Sequence, residues 1–282
     1  PHSAPLPPLP GRANAAGRFA RAAAMASAEG AGGAPAAPAG GSLVAAGLAE
    51  VRDRVLRACD KRKEKHGLSD PPIVRLVAVS KTKPVDMLME AYAAGQRHFG
   101  ENYVQEIVDK APQMPEDTQW HFIGHLQSNK VSALLKGCPS LACLETVDSE
   151  KLARAVEKAW AALETERKLP IMIQVNSSGE ESKNGVDPAD AAALCKIVAD
   201  ELTHLELIGF MTIGAPDYSG CRTEDFDALH KCRAEAADVL GVDAASLELS
   251  MGMSSDFENA ILQGSTSVRV GSSIFGARAA KG

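Results

Sequence analysis

From Ser42 onward the chain changes hydrophobic period repeatedly. Leu43, Leu48, Val51, Val55 and Leu56 recur at helical spacing, and charges fill the other positions through Lys65. This predicts an amphipathic helix over 42–67, with Ser42 as N-cap and Gly67 as the stop. After Pro71-Pro72, short apolar runs take turns with longer amphipathic ones. The strand-like runs are IVRLVAVS (73–80), HFGEN (98–102), QWHFIG (119–124), CLETVD (143–148), IMIQVNS (171–177), LELIGFMTI (205–213), LELSMG (247–252) and SVRVGSSIFG (267–276). Helical patterns sit between them. One starts at Pro84, one covers Tyr103 to Lys110, and one starts at Ser128. Another is capped by Ser149, another is opened by Asp187-Pro188, and the last two are EDFDALHKCRAEAADVL and DFENAILQG.

Strictly alternating strand and helix units imply a parallel sheet covered by helices, and several of these strands are apolar on both faces. Eight such units predict closure into a (β/α)8 TIM barrel over about 73–276, a single α/β domain with an extra N-terminal helix. An open doubly wound sheet is disfavoured, because no GxGxxG turn follows the first strand.

Residues 1–41 are set apart by composition. They are dominated by Ala, Gly and Pro, carry Arg12, Arg18 and Arg21, and lack acidic residues before Glu29. Such a stretch buries too little apolar surface to offset chain entropy, so a disordered leader is expected. Its arginines and scarcity of acids also suit an organelle transit segment, mitochondrial or plastid. A start at Met25 would instead leave a cytoplasmic protein.

The remaining composition narrows the function classes. Net charge is −6 and aromatics are 4%. Neither a basic field nor a stacking surface for nucleic acid is present. No apolar run approaches the roughly 20 residues of a membrane span. Six cysteines lie apart, with no CxxC pair and no His at ligand spacing from two of them. Reduced, buried thiols are expected, with no metal. A lone helix-covered barrel is expected to be a monomer.

Barrels of this class place their chemistry at the carboxyl ends of the strands. The seventh and eighth ends read Met251-Gly252-Met253-Ser254 and Gly271-Ser272-Ser273. Small residues let backbone N–H groups approach an anion, and Ser hydroxyls add donors. Either loop alone could be a tight turn, but both together at the two usual phosphate-binding ends suit a phosphate. The first strand, beside the eighth in a closed barrel, ends at Lys81, which continues the parity of Val77 and Val79. Partial burial and a neighbouring Arg would lower a lysine pKa and favour imine formation with an aldehyde. Lys83, just before Pro84, reads as an ordinary loop residue.

The stretches VAVSKTKP, FGENYVQE, WHFIGHLQSNK, ETVDS, QVNSSGEESKNG, MTIG, LSMGMSSDFENAI and VRVGSSIFG together resemble the pyridoxal phosphate homeostasis proteins, relatives of the alanine racemase N-terminal barrel. The resemblance runs from about the first helix to Gly276. It implies pyridoxal 5′-phosphate (PLP) as cofactor, held as a Schiff base on Lys81. Asn102 would then lie near the ring, Arg269 would face the pyridine nitrogen, and Ser254, Gly271 and Ser272 would bind the phosphate. A guanidinium at that nitrogen weakens the ring as an electron sink. Only Ala277 to Gly282 follow the last motif, which leaves little room for the second domain that supplies a second base in the racemases. The expected role is therefore a carrier that buffers PLP and passes it to PLP-dependent client enzymes in vitamin B6 homeostasis. The alternative is a racemase-like enzyme using Tyr103 or His125 as second base. A barrel that binds a phosphometabolite without a covalent bond is the third possibility.

Overall fold

The strands are β1 (Arg75–Val79), β2 (His98–Glu101), β3 (Gln119–Phe122), β4 (Leu141–Val147), β5 (Leu169–Gln174), β6 (Leu205–Met211), β7 (Glu248–Ser250) and β8 (Ser267–Val270). All pair in parallel and close in chain order, with β8 returning to β1 through Arg75↔Ser267, Leu76↔Val268, Val77↔Arg269 and Ala78↔Val270. The expected eight-stranded barrel is therefore present. The computed structural model describes residues 42–179, 184–213 and 221–277. The leader expected over 1–41 lies outside them, as do Glu180 to Asn184's predecessor in the QVNSSGEESKNG stretch and Gly214 of MTIG.

Helix α1 (Leu43–His66) starts at Ser42, whose Oγ accepts from the Ala45 N–H, and stops at Gly67 in the left-handed conformation. Its buried face is Val44, Leu48, Val51 and Val55, worth on the order of 1.5–3 kcal/mol each. Leu43 and Leu56, counted with that face by spacing, are 89% and 64% exposed. The helix is 24 residues long, and at about 100° per residue its buried positions form one straight stripe, with Leu43 and Leu56 to either side of it. Around the barrel follow α2 (Val85–Ala93), α3 (Val104–Lys110), α4 (Val131–Gly137), α5 (Glu150–Ala161), α6 (Pro188–Glu201), α7 (Thr223–Leu240), α8 (Phe257–Leu262) and α9 (Ser272–Phe275). Ser149 and Asp187 cap α5 and α6 with side-chain oxygens. Pro84 is the N-cap of α2 rather than a residue of its first turn.

Helix α1 packs on α8 and α9. A Cβ at Gly47 would lie 2.7 Å from the Ser273 carbonyl oxygen, so only glycine allows this approach. Arg54 binds Glu258 at 2.8 Å, and Arg62 donates to the Ser265 carbonyl at 3.0 Å. The N-terminal helix thus buttresses the last unit of the barrel.

The main core lies between strands and helices. A smaller apolar cluster, Ile123, Cys143, Met172 and Met211 with Val79, fills part of the lumen. Strands β1 and β5 are apolar on both faces as expected, with Ala78, Ile171 and Ile173 in the main core and Val79 and Met172 in the smaller cluster, while the lumen also holds buried polar and charged side chains. Arg75 pairs with Glu248 at 2.6 Å. A second chain of bonds runs His98 Nδ1 to His121 Nε2 (3.0 Å), His121 Nδ1 to Glu145 Oε1 (2.7 Å), Ser250 Oγ to Glu145 Oε2 (2.5 Å) and Arg269 Nη1 to Ser250 Oγ (2.6 Å). Strands β4 and β7 are not sheet neighbours, so the Glu145–Ser250 bond crosses the lumen.

Candidate functional site

Strand β1 ends at Val79, so Lys81 does not continue it. Lys81 is half-buried in a turn, between buried Ser80 and exposed Thr82. Thr82 takes φ 63°, unusual for a branched residue. Lys83 Nζ donates to the Ala277 carbonyl at 2.9 Å, a bond that joins this turn to the end of α9. Lys83 therefore has a structural partner.

The two glycine-serine loops meet. The Gly271 N–H donates to Ser254 Oγ at 3.2 Å. Asp256 Oδ1 accepts from the Met253 N–H at 2.6 Å and shapes the β7 loop. A Cβ on Gly271 would lie 3.1 Å from the Val79 carbonyl oxygen, so this loop rests on the end of β1, two residues before Lys81. Ser272 and Ser273, read as part of the eighth strand, instead open α9, where backbone N–H groups have no intrahelical acceptor. Asn102 follows β2 directly, and its Oδ1 is buried with no hydrogen-bond partner among the described residues.

Arg269 is 4% exposed on β8. Its Nη1 donates to the Ser250 carbonyl at 2.9 Å and its Nη2 to the Thr212 carbonyl at 2.6 Å. Glu145 Oε2 lies 3.9 Å from Nη1. Burial would raise the Glu145 carboxyl, but the hydrogen bond and charge of His121, with Arg269 and Ser250, outweigh it and hold it at about 2. His98 is lowered to about 3 by burial first, then by the charges of His121 and Arg75. The guanidinium of Arg269 thus has an ionised buried counter-charge.

Tyr103 is exposed, and the exposed His125 faces Asp148 across 3.6 Å. Neither enters the lumen network. Sequence reading missed His98, His121, Glu145 and Ser250. The signal available was a polar residue inside each of HFGE, QWHF, LACLETV and ELS. His121, Cys143 and Glu145 also bring one potential ligand atom each within 4.8 Å of one another, a proximity that linear spacing did not reveal. His121 and Glu145 already bond each other there, and burial pushes the Cys143 thiol well above its usual range. All six cysteines are buried free thiols. No helix among the described residues is long and apolar enough to cross a membrane.

The family model for the alanine racemase N-terminal domain matches residues 63–279. The pyridoxal phosphate homeostasis protein of Bos taurus is 48% identical over 239 residues, covering 82% of this chain and 86% of the relative. Its Homo sapiens counterpart is 45% identical over 242 residues, covering 83% and 86%. The solved structure of PipY from Synechococcus elongatus with PLP bound is 34% identical, with a TM-score of 0.64, and covers 83% of this chain and all of PipY (100%). A match of this length and identity makes the chain a member of the alanine racemase N-terminal domain family and, within it, of the pyridoxal phosphate homeostasis proteins.

Proposed function

We propose that this protein binds PLP as a Schiff base on Lys81 and serves as a carrier in PLP homeostasis, handing the cofactor to client enzymes. The observation that carries the reading is the meeting of three parts at one mouth. The Lys81 turn, the Gly271 loop against Val79 and the Ser254–Gly271 bond converge there. The donor set fits a phosphorylated pyridine aldehyde. Ser254, Gly271 and Ser272 offer hydroxyl and N–H donors to a phosphate. Asn102 brings a buried amide whose oxygen still lacks a partner. Arg269 offers a permanent cation toward the ring nitrogen.

Bound PLP supplies an electrophilic aldehyde and, when its ring nitrogen is protonated, an electron sink. Lys81 would supply the amine for a C=N bond to the aldehyde carbon, with its two amine protons and the carbonyl oxygen released as water. Arg269 is pinned by the Ser250 and Thr212 carbonyls and balanced by Glu145. A guanidinium so held gives up no proton to the ring, which favours storage over carbanion chemistry. The names of the relatives, homeostasis proteins rather than racemases, agree with that role.

Borohydride reduction of the PLP-loaded protein, followed by peptide mass mapping, tests the reading. The adduct is expected on Lys81. Lys81→Ala should lose it, and Lys83→Ala should keep it. An adduct on another lysine, or none, overturns the assignment, and sustained turnover of alanine overturns the carrier role.

A further inference from the structure

The peptide units on either side of Lys81 are both held by one ionic cluster, buried at Glu101 and Lys110 and partly exposed at Glu106. On the N-terminal side, the Ser80 carbonyl accepts from Lys110 Nζ at 3.0 Å and from the Lys83 N–H at 3.1 Å. Ser80 Oγ donates to Glu101 Oε1 at 2.7 Å, and the Ser80 N–H donates to the Gly100 carbonyl at 3.0 Å. On the C-terminal side, the Thr82 N–H donates to Glu106 Oε2 at 2.7 Å. Lys110 joins the two sides, because its Nζ also binds Glu101 Oε1 at 2.8 Å and Glu106 Oε2 at 2.6 Å. All three of its N–H donors are thereby used.

This is an unusual outlay for a surface turn. Glu101 is fully buried, Lys110 is 7% exposed, and Glu101 Oε2 has no partner among the described residues. Burying such groups costs desolvation even when they are paired, so a buried ion pair is weak evidence of a stabilising role. The cluster's geometry supplies a different reason for it. A residue's φ and ψ are the rotations about the two bonds that join its Cα to the flanking peptide planes. Fixing the Ser80–Lys81 plane and the Lys81–Thr82 plane fixes both angles at Lys81 and hence the direction of its Cα–Cβ bond. The left-handed Thr82 shows that the turn is held in a shape its own sequence does not prefer.

We propose that Glu101, Glu106 and Lys110 are positioning residues that fix the backbone at Lys81 and aim its amine at the aldehyde carbon. The proposal rests on the Schiff-base reading above. The cluster touches neither the phosphate loops nor Arg269, so it acts on formation of the C=N bond and not on grip of the rest of the ligand.

That separation supplies the test. Dissociation constants are measured on the full chain for PLP and for 4-deoxypyridoxine 5′-phosphate, which has a methyl group where PLP has the aldehyde. Glu106→Ala is the main variant, because its side chain is 26% exposed and its loss leaves the buried Glu101–Lys110 pair intact. Its preference for PLP over the deoxy analogue is expected to fall about tenfold, the scale of one charge-assisted hydrogen bond, with analogue affinity unchanged. Glu106→Gln, which keeps an oxygen for the Thr82 N–H, should restore most of the preference. A preference that survives in Glu106→Ala, or a loss that is equal for both ligands, overturns the clamp. Lys81→Ala serves as the reference. If it also keeps the wild-type preference, the Schiff-base reading fails and the clamp with it. If it abolishes the preference while Glu106→Ala does not, the clamp alone fails.

Discussion

Glu145→Gln isolates the charge that balances Arg269. The substitution keeps the shape of a fully buried side chain and removes its charge. Two figures set the scale of the cost. A pair of unit charges 3.9 Å apart attracts by about 4 kcal/mol at an effective dielectric of about 20, which counts the Arg269 pair alone. The whole site, with burial opposed first by His121 and then by Arg269 and Ser250, holds the carboxyl at about 2 against about 4.5 when unfolded, on the order of 3 kcal/mol of stability at neutral pH. The folded value is the lower one. The stability is therefore fully present above about pH 4.5 and disappears as pH falls through about 2. Urea unfolding of both proteins measures this. Glu145→Gln should be about 3 kcal/mol less stable at pH 7, and the gap should narrow to about 1 kcal/mol at pH 3. A gap below about 1 kcal/mol at pH 7, or one that does not narrow in acid, would refute the ionised lumen.

His98 acts in the same acid range for a different reason. Its folded value of about 3 lies below an unfolded value near 6.5, so the unfolded chain takes up the proton first. That removes about 3 kcal/mol of stability between pH 7 and pH 4, and His98→Asn should lack this part of the loss in urea titrations. Gly47→Ala should lower the melting temperature despite the better helix propensity of alanine, because the added Cβ meets the Ser273 carbonyl oxygen at 2.7 Å. The same variant should bind PLP more weakly, since α9 carries Ser272 and Ser273. Ser42→Ala should cost about 1 kcal/mol through loss of the α1 N-cap, read by thermal or urea unfolding.

The architecture was legible because the hydrophobic period changes at every element boundary. The glycine and serine residues of the β7 and β8 loops were legible for a related reason, since they cluster where an apolar run ends. The same reasoning puts Lys81 at the end of β1, but it sits in a turn and not in the strand, because nothing in SKTKP announces the left-handed Thr82. The lumen network could not be read. Glu145 and Ser250 are 105 residues apart, and their bond exists only after the barrel closes. The Lys81 clamp was hidden by its ordinary appearance. Glu106 and Lys110 form an i,i+4 pair of the kind that decorates solvated helices, and only packing beneath Ser80 buries it.

The contact of Gly271 with the end of β1 has a consequence for the lifetime of the protein. The β8–β1 junction is the seam where the first and last strands of the barrel meet, joined by backbone bonds between distant parts of the chain. A ligand tied to Lys81 on one edge and to the Gly271 loop on the other would staple that seam. Every molecule that dissociates would leave the seam to its own bonds, and a ligand at 100 times its dissociation constant adds about 2.7 kcal/mol to the folded state. Resistance to proteolysis would then follow PLP supply, and the abundance of the protein would become a gauge of that supply.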